Sequence, residues 1–415
     1  MKLSIICYLS DDKKLNQTTV EALEKMASYS LEHDNQVTVA GKHVDKKYNN
    51  GKKDSVTASY EVEIILNTDR VRDDRSWYEN VITRIGNHAF TSKVNKETYV
   101  SEQDAHQKMA EKASGDYIMI IHAGDDISSN LAEVFVKGNV QCYDMDTYMI
   151  TKAFHDETFG AFRNYKKVTD GEDIKSFYII DLKSKYDCFP FGFGGVIIRT
   201  EAFKKQSVDP ALGLEAERDF MLRLMAKAMK TCFLPYATLT AYEYEEHDNT
   251  FYRGLYMREW YFESITDFWM PFLQEMKVTY GSIPVFIQYN FMYSVMARFN
   301  GNMDNKNKHV IEEGHGEEYL ELIGQALRLI EENIMLNRNK VVDCITGDAM
   351  KWVYGILRNG KAYKFERFFL AGKIYYGIGD TLFNSLMSLS TNILFINYRD
   401  GMLEIDGTVH PILYS

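Results

Sequence analysis

Short apolar runs at 3–9, 60–67 and 117–121 alternate with segments whose apolar residues recur at helical spacing, and this alternation constrains the fold more than any other feature. Runs of this length, mostly apolar and bounded by polar turns, read as strands. The intervening helices come from the segment holding Val20, Leu23, Met26 and Ala27 and from residues 103–113, which Ser114 and Gly115 stop. Strand, helix, strand repeated in this way predicts an α/β chain with a mostly parallel sheet.

Residues 34–58 are polar and rich in Lys and Asn, and read as a loop or weak hairpin. Further strands are expected at 148–153, 176–182, 196–199 and 231–234, with a helix over 215–229. After about residue 255 the periodicity becomes helical, at 260–276, 284–300, 317–333 and 349–358. The chain then closes with a β-hairpin, 392–398 and 402–405 around Arg399-Asp400-Gly401. The expected organisation is residues 1–250 as an α/β domain, 251–390 as a helical region and 391–415 as the hairpin. A lone hairpin is only marginally stable, so it is expected to dock on the helical region or to begin a β domain that this chain truncates. An appended domain of that kind would make a homo-oligomer an expectation too.

Composition excludes several functions. The formal charge of −11 provides no cationic field for holding a phosphate backbone, so nucleic acid is not an expected partner. Six prolines in 415 residues leave long helices uninterrupted. The five cysteines are scattered, with neither CxxC spacing nor a Cys/His cluster, which suits reduced thiols and a cytoplasmic protein. The opening apolar run meets Asp11 and Asp12 too early for a signal peptide, and no stretch approaches ~18 apolar residues.

The sharpest chemical feature is the pair Asp125 and Asp126, reached where the strand 117–121 runs into His122-Ala123-Gly124. Ligands of parallel α/β sheets bind outside the carboxyl ends of strands, and carboxylates there can hold a hard divalent cation. The plain alternative is a solvated turn, with Ser128 or Ser129 capping a helix through Val136. The loop Phe191-Gly192-Phe193-Gly194-Gly195 lacks a phosphate-loop Lys and precedes a strand, so it is not a P-loop. Phe191 and Phe193 either offer apolar faces to an acceptor or simply pack. The cluster Trp260, Tyr261, Phe262, Phe268, Trp269, Met270 and Phe272 either touches a lipid-linked acceptor, with peripheral membrane association, or fills a helical core.

Together these segments resemble the family-two glycosyltransferases of GT-A fold, over about residues 1–250. Ser4-Ile5-Ile6 resembles that family's first strand, Glu63 to Asp69 its second nucleotide-contacting strand, and Ala113 to Ile118 the stretch before its metal-binding acids. His122-Ala123-Gly124-Asp125-Asp126 stands where the family carries its Asp-x-Asp motif, residues 189–200 resemble its acceptor-side loop, and Glu217-Arg218-Asp219 with Leu222 resembles its Glu-Asp-x-x-Leu helix.

The resemblance implies a Rossmann-like GT-A domain and an inverting, metal-dependent transfer of a sugar from a nucleotide-sugar, UDP-sugar favoured. The acceptor would be a cell-surface glycan or a teichoic-acid-like polyol phosphate, met in the cytoplasm or at the inner face of the membrane. Asp219 is the expected general base, with Glu217 as substitute; the alternative for Asp219 is a first-turn acid serving the helix dipole. Asp125, helped by Asp126, would hold Mn²⁺ or Mg²⁺, and His247 is a further metal contact or else a lone surface histidine. Asp69 and the backbone near Tyr8 and Ser10 would hold the nucleotide, unless Asp69 is an ordinary strand-end acid; Phe191, Phe193 and Gly194 would meet the acceptor. His122 or Ala123 falls where the first acid of the metal motif would be, and Arg218 replaces the Glu before the base. Two other functions therefore stand beside the transferase: a non-catalytic nucleotide-sugar-binding or scaffolding module, and a nucleotidyltransferase of similar fold.

Overall fold

The computed structural model describes residues 1–40, 55–68, 71, 75–86, 90–95, 97–99, 101–142, 145–156, 161–164, 177–184, 190, 192–243, 254–303, 310–312, 314–336, 348–361, 363–364, 366–378, 381–385, 392–399 and 402–408. They fall into two compact units, Met1–Arg253 and Gly254–Ser415.

The first unit holds twelve described strands and six α-helices: β1 (Lys2–Tyr8), α1 (Lys13–Glu32), β2 (Gln36–Ala40), β3 (Ser55–Ser59), β4 (Glu61–Asn67), α2 (Arg75–Gly86), β5 (Thr91–Asn95), α3 (Glu102–Lys112), β6 (Tyr117–His122), β7 (Asp125–Ile127), α4 (Leu131–Cys142), β8 (Thr147–Asp156), β9 (Ala161–Asn164), β10 (Tyr178–Asp181), β11 (Val196–Arg199), α5 (Thr200–Lys204), α6 (Ala216–Ala228) and β12 (Lys230–Glu243). The main sheet runs in the order β10-β12-β8-β11-β6-β1-β4-β5. The run β6-β1-β4-β5 is parallel throughout, as the strand-helix alternation predicts. β11 enters antiparallel between β6 and β8, and β12 pairs parallel with β8. The polar segment around residues 34–58 contributes β2 and β3 as an antiparallel pair outside that sheet.

Strand parity explains how the sheet is covered. Leu3, Ile5 and Cys7 of β1, Ile64 and Leu66 of β4, and Met119 and Ile121 of β6 share one core cluster with Val20, Leu23 and Met26 of α1, Val81 and Ile85 of α2 and Phe135 of α4. Successive residues of a strand face opposite ways, so Ser4, Ile6 and Tyr8, with Ile118, Ile120 and His122, turn to the other face. α3, which packs on β1, lies there. Capping fixes where the helices begin: Asp12 accepts the N–H groups of Lys14 and Leu15 ahead of α1, and Ser101 accepts that of Asp104 ahead of α3.

A polar network ties the strands on that second face. Ser4 Oγ donates to Glu63 Oε2 at 2.6 Å, Ser114 N–H to the same oxygen at 2.8 Å, and Lys93 Nζ to Glu63 Oε1 at 2.6 Å. Burial pushes the Glu63 carboxyl up, but the Lys93 ammonium, the Ser4 hydroxyl and the Ser114 amide outweigh it and hold the group at about 2.

In the second unit the stretch read as one helix over 260–276 is divided. A short helix Arg258–Tyr261 precedes a π-helical segment Ser264–Trp269, which runs into Met270–Tyr280 with Pro271 in its first turn. Val285–Met303, Gly316–Leu327, Glu332–Leu336 and Asp348–Asn359 follow. The cluster is core: Trp260, Tyr261, Phe262, Phe268, Trp269 and Phe272 are all buried, with Met270 half-buried beside them. Inside the stretch read as helical, Glu366–Leu370, Lys373–Ile378 and Thr381–Ser385 form a three-stranded antiparallel sheet. The expected hairpin is present as Asn392–Arg399 paired with Met402–Thr408. Among the described residues no helix is long and apolar enough to cross a membrane.

Candidate functional site

The carboxyl ends of β1, β4 and β6 lie side by side, with Tyr8 in register with Asn67 on one side and His122 on the other. That edge is where a parallel sheet receives ligands. His106, in the buried stripe of α3, brings its imidazole to the same edge. Its ring centre lies 6.1 Å from Tyr8, 5.2 Å from His122 and 5.9 Å from Phe193, edge to face in each case.

After His122 the chain turns through Gly124, whose φ of +94° a side chain would strain. Thr19 of α1 pins the turn: its Oγ1 accepts the Gly124 N–H at 2.9 Å and donates to the His122 carbonyl at 3.2 Å. Asp125 then opens β7, which pairs with the long strand β12. The buried Asp125 Oδ2 accepts the His122 N–H at 2.8 Å and lies 3.7 Å from His122 Nδ1. Asp126 points to the opposite side of the strand, where Lys25 and Glu21 of α1 are its charged neighbours, and burial raises its carboxyl.

Two glutamates complete the cluster. Glu102 lies one turn before His106 on α3, and its Oε1 is 3.3 Å from His122 Nε2 and 3.8 Å from His106 Nε2. Glu217, in the first turn of α6, places Oε1 at 3.5 Å from His106 Nδ1 and 3.7 Å from His122 Nε2, while its Oε2 accepts the Phe193 N–H at 3.1 Å. Burial pushes the Glu217 carboxyl up, yet the two imidazoles hold it well below the usual carboxylate range. Burial alone would lower the His122 imidazole, but Asp125, Glu217 and Glu102 raise it well above its ordinary value.

The site residues expected from sequence fare differently. Tyr8, Asp125 and Glu217 meet at the strand edge. Asp219, two residues after Glu217 in the same first turn of α6, is buried, and its Oδ1 accepts from Arg223 Nε at 2.8 Å. Ser10 belongs to the entry of α1: its N–H donates to Asn16 Oδ1 at 3.0 Å, and its hydroxyl accepts the Asp12 N–H at 3.1 Å. Phe193 is fully buried with Phe203 and Phe220, so packing describes it, and it offers no face to an acceptor. Gly194 lies against Lys152, whose Nζ a Cβ at 194 would approach to 2.6 Å. Asp69, Phe191 and His247 lie outside the described residues.

Asp125 and Asp126 are successive residues of β7 and face opposite sides of the strand. The groups that do converge among the described residues are Glu102, His106 and His122, whose ligand atoms all lie within 4.8 Å of one another. Glu102 and His106 belong to no motif of the sequence, and His122 stands in it only as a departure from a family motif. The available signal was a Glu and a His at i, i+4, on the helix that precedes the strand ending in His122.

No family model matches the sequence, and no curated protein matches it. Among solved structures, S. aureus TarS 1-349 in complex with UDP-GlcNAc superposes with a TM-score of 0.50 at 10% identity, over 92% of this chain and 99% of that one. The chain has the GT-A glycosyltransferase fold. The longer S. aureus TarS chain aligns at a TM-score of 0.49 and 10% identity, over 99% of this chain and 64% of its own length.

Proposed function

We propose that this protein is a nucleotide-sugar glycosyltransferase that uses a UDP-sugar and moves its sugar, with inversion, to a hydroxyl of a glycan or polyol-phosphate acceptor of the cell surface. The observation that carries this reading is the convergence of Tyr8, His122, Asp125 and Glu217 at the carboxyl edge of a GT-A sheet. The UDP-GlcNAc held by S. aureus TarS supports the choice of donor.

An inverting transfer needs a base for the acceptor proton, positive charge for the departing diphosphate and a cleft that aligns the two. Geometry favours Glu217 over Asp219 as the base. Asp219 is committed to Arg223, whereas Glu217 reaches the strand edge and is ionised, so it can accept a proton from a hydroxyl whose acidity rises in the transition state. The Phe193 N–H fixes one carboxylate oxygen and leaves the other toward the edge. Glu102, Asp125 and Glu217 outnumber the two imidazoles, so this edge carries negative charge even with both rings protonated. A diphosphate would be repelled there without a cation. A divalent ion held by Glu102, His106 and His122, when bound, would neutralise charge growing on the diphosphate oxygens.

The test is a panel of UDP-, GDP- and CMP-sugars screened by thermal shift and calorimetry, with and without divalent ions. A UDP-sugar should raise Tm in the presence of a divalent ion and the others should not. A panel in which no nucleotide-sugar binds would contradict the reading.

A further inference from the structure

We infer that Glu102, His106 and His122 form the inner sphere of a divalent transition-ion site, of the Zn²⁺ or Co²⁺ class, with Asp125 and Glu217 as its outer carboxylates. The inference stands on side-chain geometry alone and does not need the transferase reading.

Four observations converge on it. First, the spacing suits small ions. With metal–ligand bonds of about 2.0–2.1 Å and tetrahedral angles, neighbouring ligand atoms lie about 3.3–3.4 Å apart. Glu102 Oε1 is 3.3 Å from His122 Nε2, and 3.8 Å from His106 Nε2, close enough for a rotamer adjustment to close. Second, His106 is fully buried and neither of its ring nitrogens makes a hydrogen bond. A buried imidazole left in that state carries a desolvation cost, which an ion on Nε2 would remove.

Third, the far nitrogens are backed as ligating histidines are. A metal-bound imidazole characteristically donates its other N–H to a carboxylate, which fixes tautomer and orientation. His106 Nδ1 faces Glu217 Oε1 at 3.5 Å, and His122 Nδ1 faces Asp125 Oδ2 at 3.7 Å. Asp125 is itself held by the His122 N–H, so it supports the ring from a fixed position. Fourth, the net charge of the cluster is negative, as a cation site requires.

The donor set selects the ion. Two imidazole nitrogens and one carboxylate suit Zn²⁺, Fe²⁺, Co²⁺ or Ni²⁺ better than Mg²⁺ or Ca²⁺, which prefer all-oxygen shells. Three protein ligands also leave a position open for water or a ligand oxygen. Glu102 and His106 come from one helical face and His122 from the adjoining strand end, so the site needs no rearrangement of the backbone.

The experiment is titration of the full chain, stripped with chelator and free of donor, with Zn²⁺, Co²⁺ and Mg²⁺ by calorimetry, with Co²⁺ binding also followed by visible absorption. The expected result is one equivalent of Zn²⁺, Mg²⁺ at least 100-fold weaker, and visible Co²⁺ bands. Glu102→Gln and His106→Gln should each weaken Zn²⁺ binding at least 100-fold and remove the Co²⁺ bands, and Asp125→Asn should weaken it about 10-fold. Glu102 is part-exposed, so its variant remains informative if the buried His106→Gln fails to fold. Absence of stoichiometric Zn²⁺ binding, or unchanged affinity in a folded Glu102→Gln chain, would overturn the inference.

Discussion

Gly192 leaves room for Glu217: a Cβ at position 192 would lie 2.6 Å from Glu217 Oε2, the oxygen that accepts the Phe193 N–H. The loop before β11 and the first turn of α6 are thus fitted to each other through one carboxylate. Gly192→Ala should push Glu217 off the Phe193 amide and misplace the proposed base. Turnover is expected to fall about 10-fold or more, since small misplacements of a reacting group are costly, with Tm nearly unchanged. Wild-type turnover in Gly192→Ala would separate Glu217 from the chemistry.

The two acids of α6 should differ in kind. Glu217→Gln is expected to lower kcat by about 10²-fold or more while donor affinity survives, as for loss of a general base. Asp219→Asn removes the carboxylate that Arg223 holds, and should cost about 1 kcal/mol of stability with a smaller effect on kcat. Steady-state kinetics and melting of both variants check this, and the reverse pattern would return the base to Asp219.

Glu63 predicts an acid limb of stability. Its carboxyl is held at about 2 against an ordinary 4.5, so its contribution is full above 4.5 and lost as pH falls toward 2. Urea melts from pH 7 to pH 2.5 should show wild type losing stability below pH 4.5, and Glu63→Gln should have a shallower slope over that interval. Parallel curves would show that the link between Ser4, Ser114 and Lys93 carries no such energy.

Arg298 organises the helical part of the second unit. Fully buried, it donates to the Trp260 carbonyl at 2.8 Å, the Ser294 carbonyl at 3.0 Å and Ser264 Oγ at 2.7 Å, and its guanidinium lies 4.3 Å from the Trp260 ring centre. Arg298→Ala would remove those hydrogen bonds and open a cavity, at a cost of about 3 kcal/mol or more. Lysine cannot reproduce the planar fork, so Arg298→Lys should recover little. Chemical denaturation of the two variants measures both.

What the sequence disclosed and what it hid divide along physical lines. β1, β4 and β6 are legible because strands buried on both faces are continuous apolar runs, and Asp125 is legible because it follows one of them directly. His106 is hidden: within its helix it occupies the stripe of Ala105, Met109 and Ala110, and only the arrival of β6 beside α3 makes it a site residue. Asp219 is the expected base because it matches the Glu-Asp-x-x-Leu helix of the resemblance beside the loop 189–200, and the arginine it binds is one turn away on its own helix. The hairpin Glu366–Leu370 with Lys373–Ile378 was missed because its two-residue turn, with φ of +48° and +75°, is built from Ala371-Gly372 rather than the Asn-Gly or Asp-Gly that signals it.

The most direct test of the account is the release of UDP from UDP-GlcNAc, with wild type and Glu217→Gln compared at saturating divalent ion. Wild type is expected to release UDP, and the variant to do so about 10²-fold or more slowly although both bind donor equally. Donor binding with no turnover by wild type would contradict the transferase reading and make the chain a binding module. Pyrophosphate release from a nucleoside triphosphate in place of UDP release would contradict it equally.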